Sequence, residues 1–108
     1  MPAKQSRAAL EKIAQSFRAL SEPTRLSILQ ELKDGPKTVN ELVEIIGTSQ
    51  ANISKQLSVL RDAGFLKREQ HGTHASYSID DPMVMELCKL VCDGLNRRAI
   101  QSVEIFSI

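Results

Sequence analysis

Two helix signals stand almost end to end in the middle of this chain. Thr38 and Glu41 form an S/T-x-x-E capping box on a short run in which Val39, Leu42, Val43 and Ile46 recur at helical spacing. Gly47 stops that run, and Ser49 caps the next, SQANISKQLSVLRDAG, which Gly64 closes. A turn of one or two residues leaves room for neither a strand nor a crossover, so these helices must bend sharply on each other. From Phe65 the period changes to two. FLKREQ and ASYSI flank His71, Gly72, Thr73 and His74 in hairpin position.

The flanks are helical. Leu10, Ile13, Ala14, Phe17 and Leu20 recur at helical spacing, and Ser21 and Pro23 open a run carrying Leu26, Ile28, Leu29 and Leu32 until Gly35-Pro36. Asp80, Asp81 and Pro82 start a last helix. The chain is thus expected to be a single domain over 1–108, mainly α with a β-hairpin wing. Its helices lie at about 6–20, 22–34, 38–46, 49–63 and 82–98, with the wing at about 65–79. A short helix, a tight turn, a second helix and a hairpin make the winged helix-turn-helix plan.

The outer face of the second of those helices indicates what the plan is for. At about 100° per residue, Ile53, Leu57 and Leu60 form an inward stripe. Opposite lie Ala51, Ser54, Lys55 and Ser58, with Gln50 and Asn52 at the start. From Thr48 to Arg61 there is no carboxylate, whereas a merely solvated face would mix Glu with Lys. Short polar groups and one base suit a major groove, where Gln and Asn pair with adenine edges and Lys with phosphate or guanine. The expected DNA-binding set is Thr38, Ser49, Gln50, Asn52, Ser54, Lys55, Gln56, Ser58 and Arg61, joined by Arg68, His71, Gly72, Thr73 and His74 of the wing. His71 and His74 also raise a metal reading, weakened because Glu69 is their only neighbouring ligand type.

Composition narrows the alternatives. The 108 residues are 42% hydrophobic and 25% charged, with no Trp, as suits one soluble domain with an aliphatic core. No apolar run reaches a membrane span and MPAKQSRAALEK is no secretory leader, so a cytoplasmic protein with no membrane partner is expected. The net charge of +1 does not announce a nucleic-acid binder, although the 48–61 stretch is locally basic. No catalytic triad, phosphate-binding loop or paired carboxylate speaks for an enzyme. Three readings remain: an inducible DNA-binding regulator, an effector-independent one, or a winged helix that binds protein without DNA.

Both cysteines, Cys88 and Cys92, lie in LCKLVCDG on the last helix, at the edge of an apolar arc of Met83, Val84, Leu87, Leu90, Val91 and Leu95. They read either as small hydrophobes or as a metal or redox pair. An intrahelical disulfide would need Cβ atoms at about 3.5–4.5 Å, where helical geometry sets about 5–6 Å. Two thiolates are too few for a closed site, so a thiophilic metal or metalloid ion would need the pairs of two chains to meet.

ALSEPTRLSILQEL (19–32) and the stretch from Asn40 to Ile79, with its S-x-Q-L-x-x-L-x-x-A-G-F core and wing Gly72, resemble the ArsR/SmtB family of bacterial winged-helix repressors. Gln56 stands where that family often has His, and His71 where it often has Arg. The resemblance implies a homodimer pairing its first and last helices, bound to an imperfect palindrome in promoter DNA and released by an inducer. The family's usual sensors do not carry over: the third helix has no C-x-C, no His follows His74, and the second helix has no cysteine.

Overall fold

The computed structural model describes residues 4–99 and 106–107. Five helices and three strands follow in the order α1 (Arg7–Ala19), α2 (Pro23–Leu32), β1 (Lys37–Thr38), α3 (Val39–Ile46), α4 (Gln50–Asp62), β2 (Leu66–His71), β3 (His74–Ile79) and α5 (Met83–Arg98). This is the expected helical order with its hairpin wing. Most of the tail SVEIFSI lies outside the described residues.

Local chemistry fixes the boundaries. Ser6 caps α1 by accepting from Ala9 N, and Ser49 caps α4 by accepting from Asn52 N. The capping box on α3 is complete: Thr38 Oγ1 accepts from Glu41 N at 3.2 Å, and Thr38 N donates to Glu41 Oε1 at 2.9 Å. The cap of α2 is Glu22 rather than the expected Ser21. Its carboxylate accepts from both Thr24 N and Arg25 N, while Ser21 Oγ turns back to donate to Arg18 O. A carboxylate with two oxygens satisfies two of the free N–H groups at a helix start, where a hydroxyl satisfies one. At the tight turn Gly47 has φ +82°, and a Cβ there would meet nothing within 4 Å. The glycine is therefore required by its left-handed backbone, not by space.

The wing has one strand more than the sequence suggested. β1 pairs antiparallel with β3, Lys37 opposite Tyr77 and Thr38 opposite Ser76, giving the sheet order β1-β3-β2. A strand of two residues carries no readable period, yet it ties the start of α3 to the root of the wing.

The core lies where α2, α3, α4 and the wing root converge. Ile28, Leu29, Leu42, Ile53, Leu57 and Leu60 are fully buried, with Leu32, Phe65, Leu66 and Val84 around them. The expected inward stripe of α4 is thus the centre of the molecule. The terminal helices differ. On α1, Leu10, Ile13 and Phe17 are exposed, Phe17 at 59%. On α5, Val84 and Cys88 turn inward, while Leu90 and Val91 stay 66% and 61% exposed.

Candidate nucleic-acid interface

The core packing of α4 dictates what its other side shows. With Ile53, Leu57 and Leu60 inside, Gln50, Ala51, Ser54, Lys55, Ser58 and Arg61 are all exposed, as is the cap Ser49. They form a face without carboxylates, the first acid being Asp62 at the last position of the helix. Lys55 and Arg61 have no ion-pair partner among the described residues, so their charges are free for an external anion.

The wing lies beside this face in the chain's order, since Phe65 and Leu66 anchor its root in the core. His71 pairs with His74 across the hairpin end, and Arg68, His71, Gly72, Thr73 and His74 are all exposed. Side-chain bonds stiffen the tip: Arg68 Nη2 donates to Gln70 Oε1 at 2.8 Å, and Gln70 Nε2 donates to the Gly72 carbonyl at 2.8 Å. Glu69 lies 3.9 Å from both Lys67 Nζ and His71 Nε2. No set of three metal-ligating side chains occurs among the described residues, which leaves His71 and His74 without the further ligands a closed site takes.

Three residues of the expected set are placed differently from the rest. Thr38 is half-buried, its hydroxyl spent on the α3 cap. Gln56 is 7% exposed and belongs to the interior, so it does not join the outer face. Its amide bonds to Arg25 and Asn52, at 2.6 Å and 3.0 Å. Asn52 is half-buried, accepting from Gln56 and donating to Thr48. Arg25 and Thr48 were absent from the expected set, although one signal points to Arg25. Gln56 falls between Ile53 and Leu60 on the inward side, and a buried amide there needs a polar partner from another element.

Cys88 is buried and Cys92 half-buried, and both thiols are free. They line an apolar groove of about 390 Å³ with Phe17, Leu20, Leu26 and Val91. Burial, and then the neighbouring Cys92, push the Cys88 thiol above its ordinary pKa.

The family model for bacterial regulatory proteins of the arsR family matches residues 22–68, the stretch from the α2 cap through α4 to the wing. An arsenical resistance operon repressor of Bacillus subtilis is 38% identical over 76 residues, which are 69% of this chain and 72% of that one. The chain belongs to the ArsR family. A probable mercury resistance operon repressor of Streptomyces lividans is 43% identical over 77 residues, 71% of this chain but only 62% of that relative's length. Among solved structures, the homodimeric winged helix-turn-helix DNA-binding domain from Mycobacterium bovis superposes with a TM-score of 0.76 at 25% identity, covering 99% of this chain and all of that one. The ArsR match thus falls on the elements that form the outer face of α4. Its description is that of a regulatory protein and not of an enzyme.

Proposed function

We propose that this ArsR-family protein is a cytoplasmic, homodimeric repressor that binds an imperfect palindrome in double-stranded promoter DNA. The observation that carries the reading is the exposed, acid-free face of α4, with Lys55 and Arg61 unpaired among the described residues and a wing carrying Arg68, His71 and His74 following it in the chain. A helix of this kind reads base edges with its N-terminal residues, and a dimer sets two such helices about one DNA turn apart. The exposed apolar residues of α1 and α5 support such a dimer, and the Mycobacterium bovis domain is homodimeric by its description. The family resemblances to resistance-operon repressors support repression as the outcome.

Selection from a random duplex library tests the reading. Enrichment of a two-fold sequence with half-sites about one helical turn apart is expected. Recovery of a random pool at physiological salt would contradict it.

For the signal, we propose a thiophilic metal or metalloid ion, or an oxidant, acting at Cys88 and Cys92. The position of both thiols in the groove between α1, α2 and α5 supports this, because that groove borders the exposed dimer faces. Within one protomer the fit to a closed metal site fails, since two thiols have no third ligand among the described residues. A complete site therefore needs the second copy. Release of DNA by such an agent from wild type but not from Cys88→Ser/Cys92→Ser is the expected result; an identical response of both proteins would remove the cysteines from the signal.

A further inference from the structure

A single chain of hydrogen bonds runs from the C-terminal end of α1 to the first turn of α4. Arg25 donates through Nε to Ala19 O at 2.7 Å and through Nη2 to Arg18 O at 3.1 Å. Through Nη1 it donates to Gln56 Oε1 at 2.6 Å. Gln56 Nε2 then donates to Asn52 Oδ1 at 3.0 Å, and Asn52 Nδ2 donates to Thr48 Oγ1 at 3.1 Å.

This chain has a direction, and one residue sets it. A guanidinium has no acceptor, so Gln56 must turn its amide oxygen towards Arg25. That leaves the NH₂ of Gln56 facing Asn52, which must answer with its own oxygen. The NH₂ of Asn52 consequently faces Thr48, whose oxygen accepts and whose O–H is left to donate elsewhere. An amide without such a neighbour can exchange its donor and acceptor sides by a simple flip. Here the flip is closed at every step. At the Thr48 end the Asn52 amide therefore presents its NH₂ and not its oxygen, and the second N–H of that NH₂ is uncommitted among the described residues. The Thr48 hydroxyl keeps both its proton and a second lone pair.

We propose that Arg25 is a positioning residue for base reading: acting through Gln56, it fixes the Asn52 amide with its NH₂ as the presented donor, so that the base this NH₂ meets must offer an acceptor. The proposal rests on the DNA-binding reading above. In the major groove guanine offers N7 and O6, thymine O4 and adenine N7, whereas the cytosine edge offers only its N4 amino donor. Asn52 on the first turn of α4 therefore selects against cytosine at one position of each half-site.

A change that reverses the direction tests this. Gln56→Glu keeps an acceptor for Arg25 but cannot donate to Asn52, so the Asn52 amide turns over and presents its oxygen. Gln56→His keeps both roles, accepting at one ring nitrogen and donating from the other. Arg25→Met removes the source of the direction. Each dimer is titrated against the selected duplex with all four base pairs placed in turn at each half-site position. The Asn52 side-chain amide is followed by ¹⁵N spectra of the free protein.

Wild type and Gln56→His should share a preference against cytosine of roughly tenfold at one position. Gln56→Glu should lose or invert that preference there and nowhere else, Arg25→Met should relax it, and both should shift the Asn52 amide resonances. Unchanged base preferences in Gln56→Glu and Arg25→Met, with those resonances shifted, would overturn the proposal while leaving DNA binding intact. Failure of wild type to bind any duplex would instead overturn the DNA-binding reading and this role with it, and the spectra would still report on the network alone.

Discussion

The guanidinium of Arg25 and the amide oxygen of Gln56 lie 2.6 Å apart across 31 residues of sequence. This bond joins the helix that opens the matched family stretch to the helix with the carboxylate-free outer face, and it satisfies the buried polar side chain Gln56. Arg25→Met strands that amide oxygen and takes the guanidinium donor from the Ala19 carbonyl, whereas the Arg18 carbonyl still accepts from Ser21. Loss of a partner from a buried acceptor costs about 1–3 kcal/mol, which urea unfolding will register as a lower midpoint at unchanged slope. A midpoint equal to wild type would mean that water replaces the arginine without loss.

Helix capping gives the protein a defined acid sensitivity. Glu22 is held below the ordinary glutamate pKa chiefly by the backbone N–H of Thr24, and Glu41 by that of Thr38. Depressed carboxylate pKa values mean stability that is present in full above the ordinary value near 4.5 and is lost as pH falls below it. Thermal melts between pH 7 and pH 3 should therefore show a decline below about pH 4.5 that Glu22→Gln/Glu41→Gln flattens. Thr38→Ala, which removes the reciprocal half of the box, should cost about 1 kcal/mol at neutral pH.

The exposed apolar faces of α1 and α5 predict self-association. Leu90 and Val91 are more than 60% exposed on α5, and Phe17 is 59% exposed on α1. Leu90→Asp/Val91→Asp puts charges on a surface whose own core contacts are few, so the fold should survive while the dimer does not. Light scattering should report the monomer mass and DNA affinity should fall at least tenfold, because two half-sites are no longer read together. A double variant that stays dimeric would place the interface elsewhere.

The two thiols should differ in reactivity. Burial raises the Cys88 thiol above its ordinary pKa and so lowers its thiolate fraction, and the thiolate is the nucleophile. Timed alkylation read by mass spectrometry should label Cys92, which is half-buried, before Cys88. Labelling of Cys88 should accelerate only as pH rises above the ordinary thiol range. Equal rates at pH 7 would show that α5 opens on the timescale of the reaction.

Much of this was legible in the sequence because it rests on strong local signals. The capping box at Thr38 and Glu41, the stop at Gly47, the cap at Ser49 and the change of period at Phe65 each determine a boundary by chemistry within a few residues. The outer face of α4 followed from the inward stripe Ile53, Leu57 and Leu60. What was not legible depends on distant pairing. β1 exists only because Tyr77 and Ser76 lie beside it, and the partner that the inward Gln56 requires, Arg25, comes from another helix 31 residues away. On α5 the composition showed a wide apolar arc, but which edge meets the core was decided by packing. Val84 and Cys88 took that place and left Leu90 and Val91 outside.

The most direct test of the DNA-binding account is the salt dependence of affinity for the selected duplex, measured by fluorescence anisotropy for wild type and Lys55→Glu. Lys55 is exposed and free of partners among the described residues, so its replacement should leave stability within about 0.5 kcal/mol. Wild-type affinity should fall steeply and linearly in log–log form with added salt, as counterion release requires. Lys55→Glu should lose specific binding altogether, because it sets a carboxylate against the groove. Wild-type affinity and an unchanged salt slope in Lys55→Glu would contradict the assignment of the α4 face to DNA.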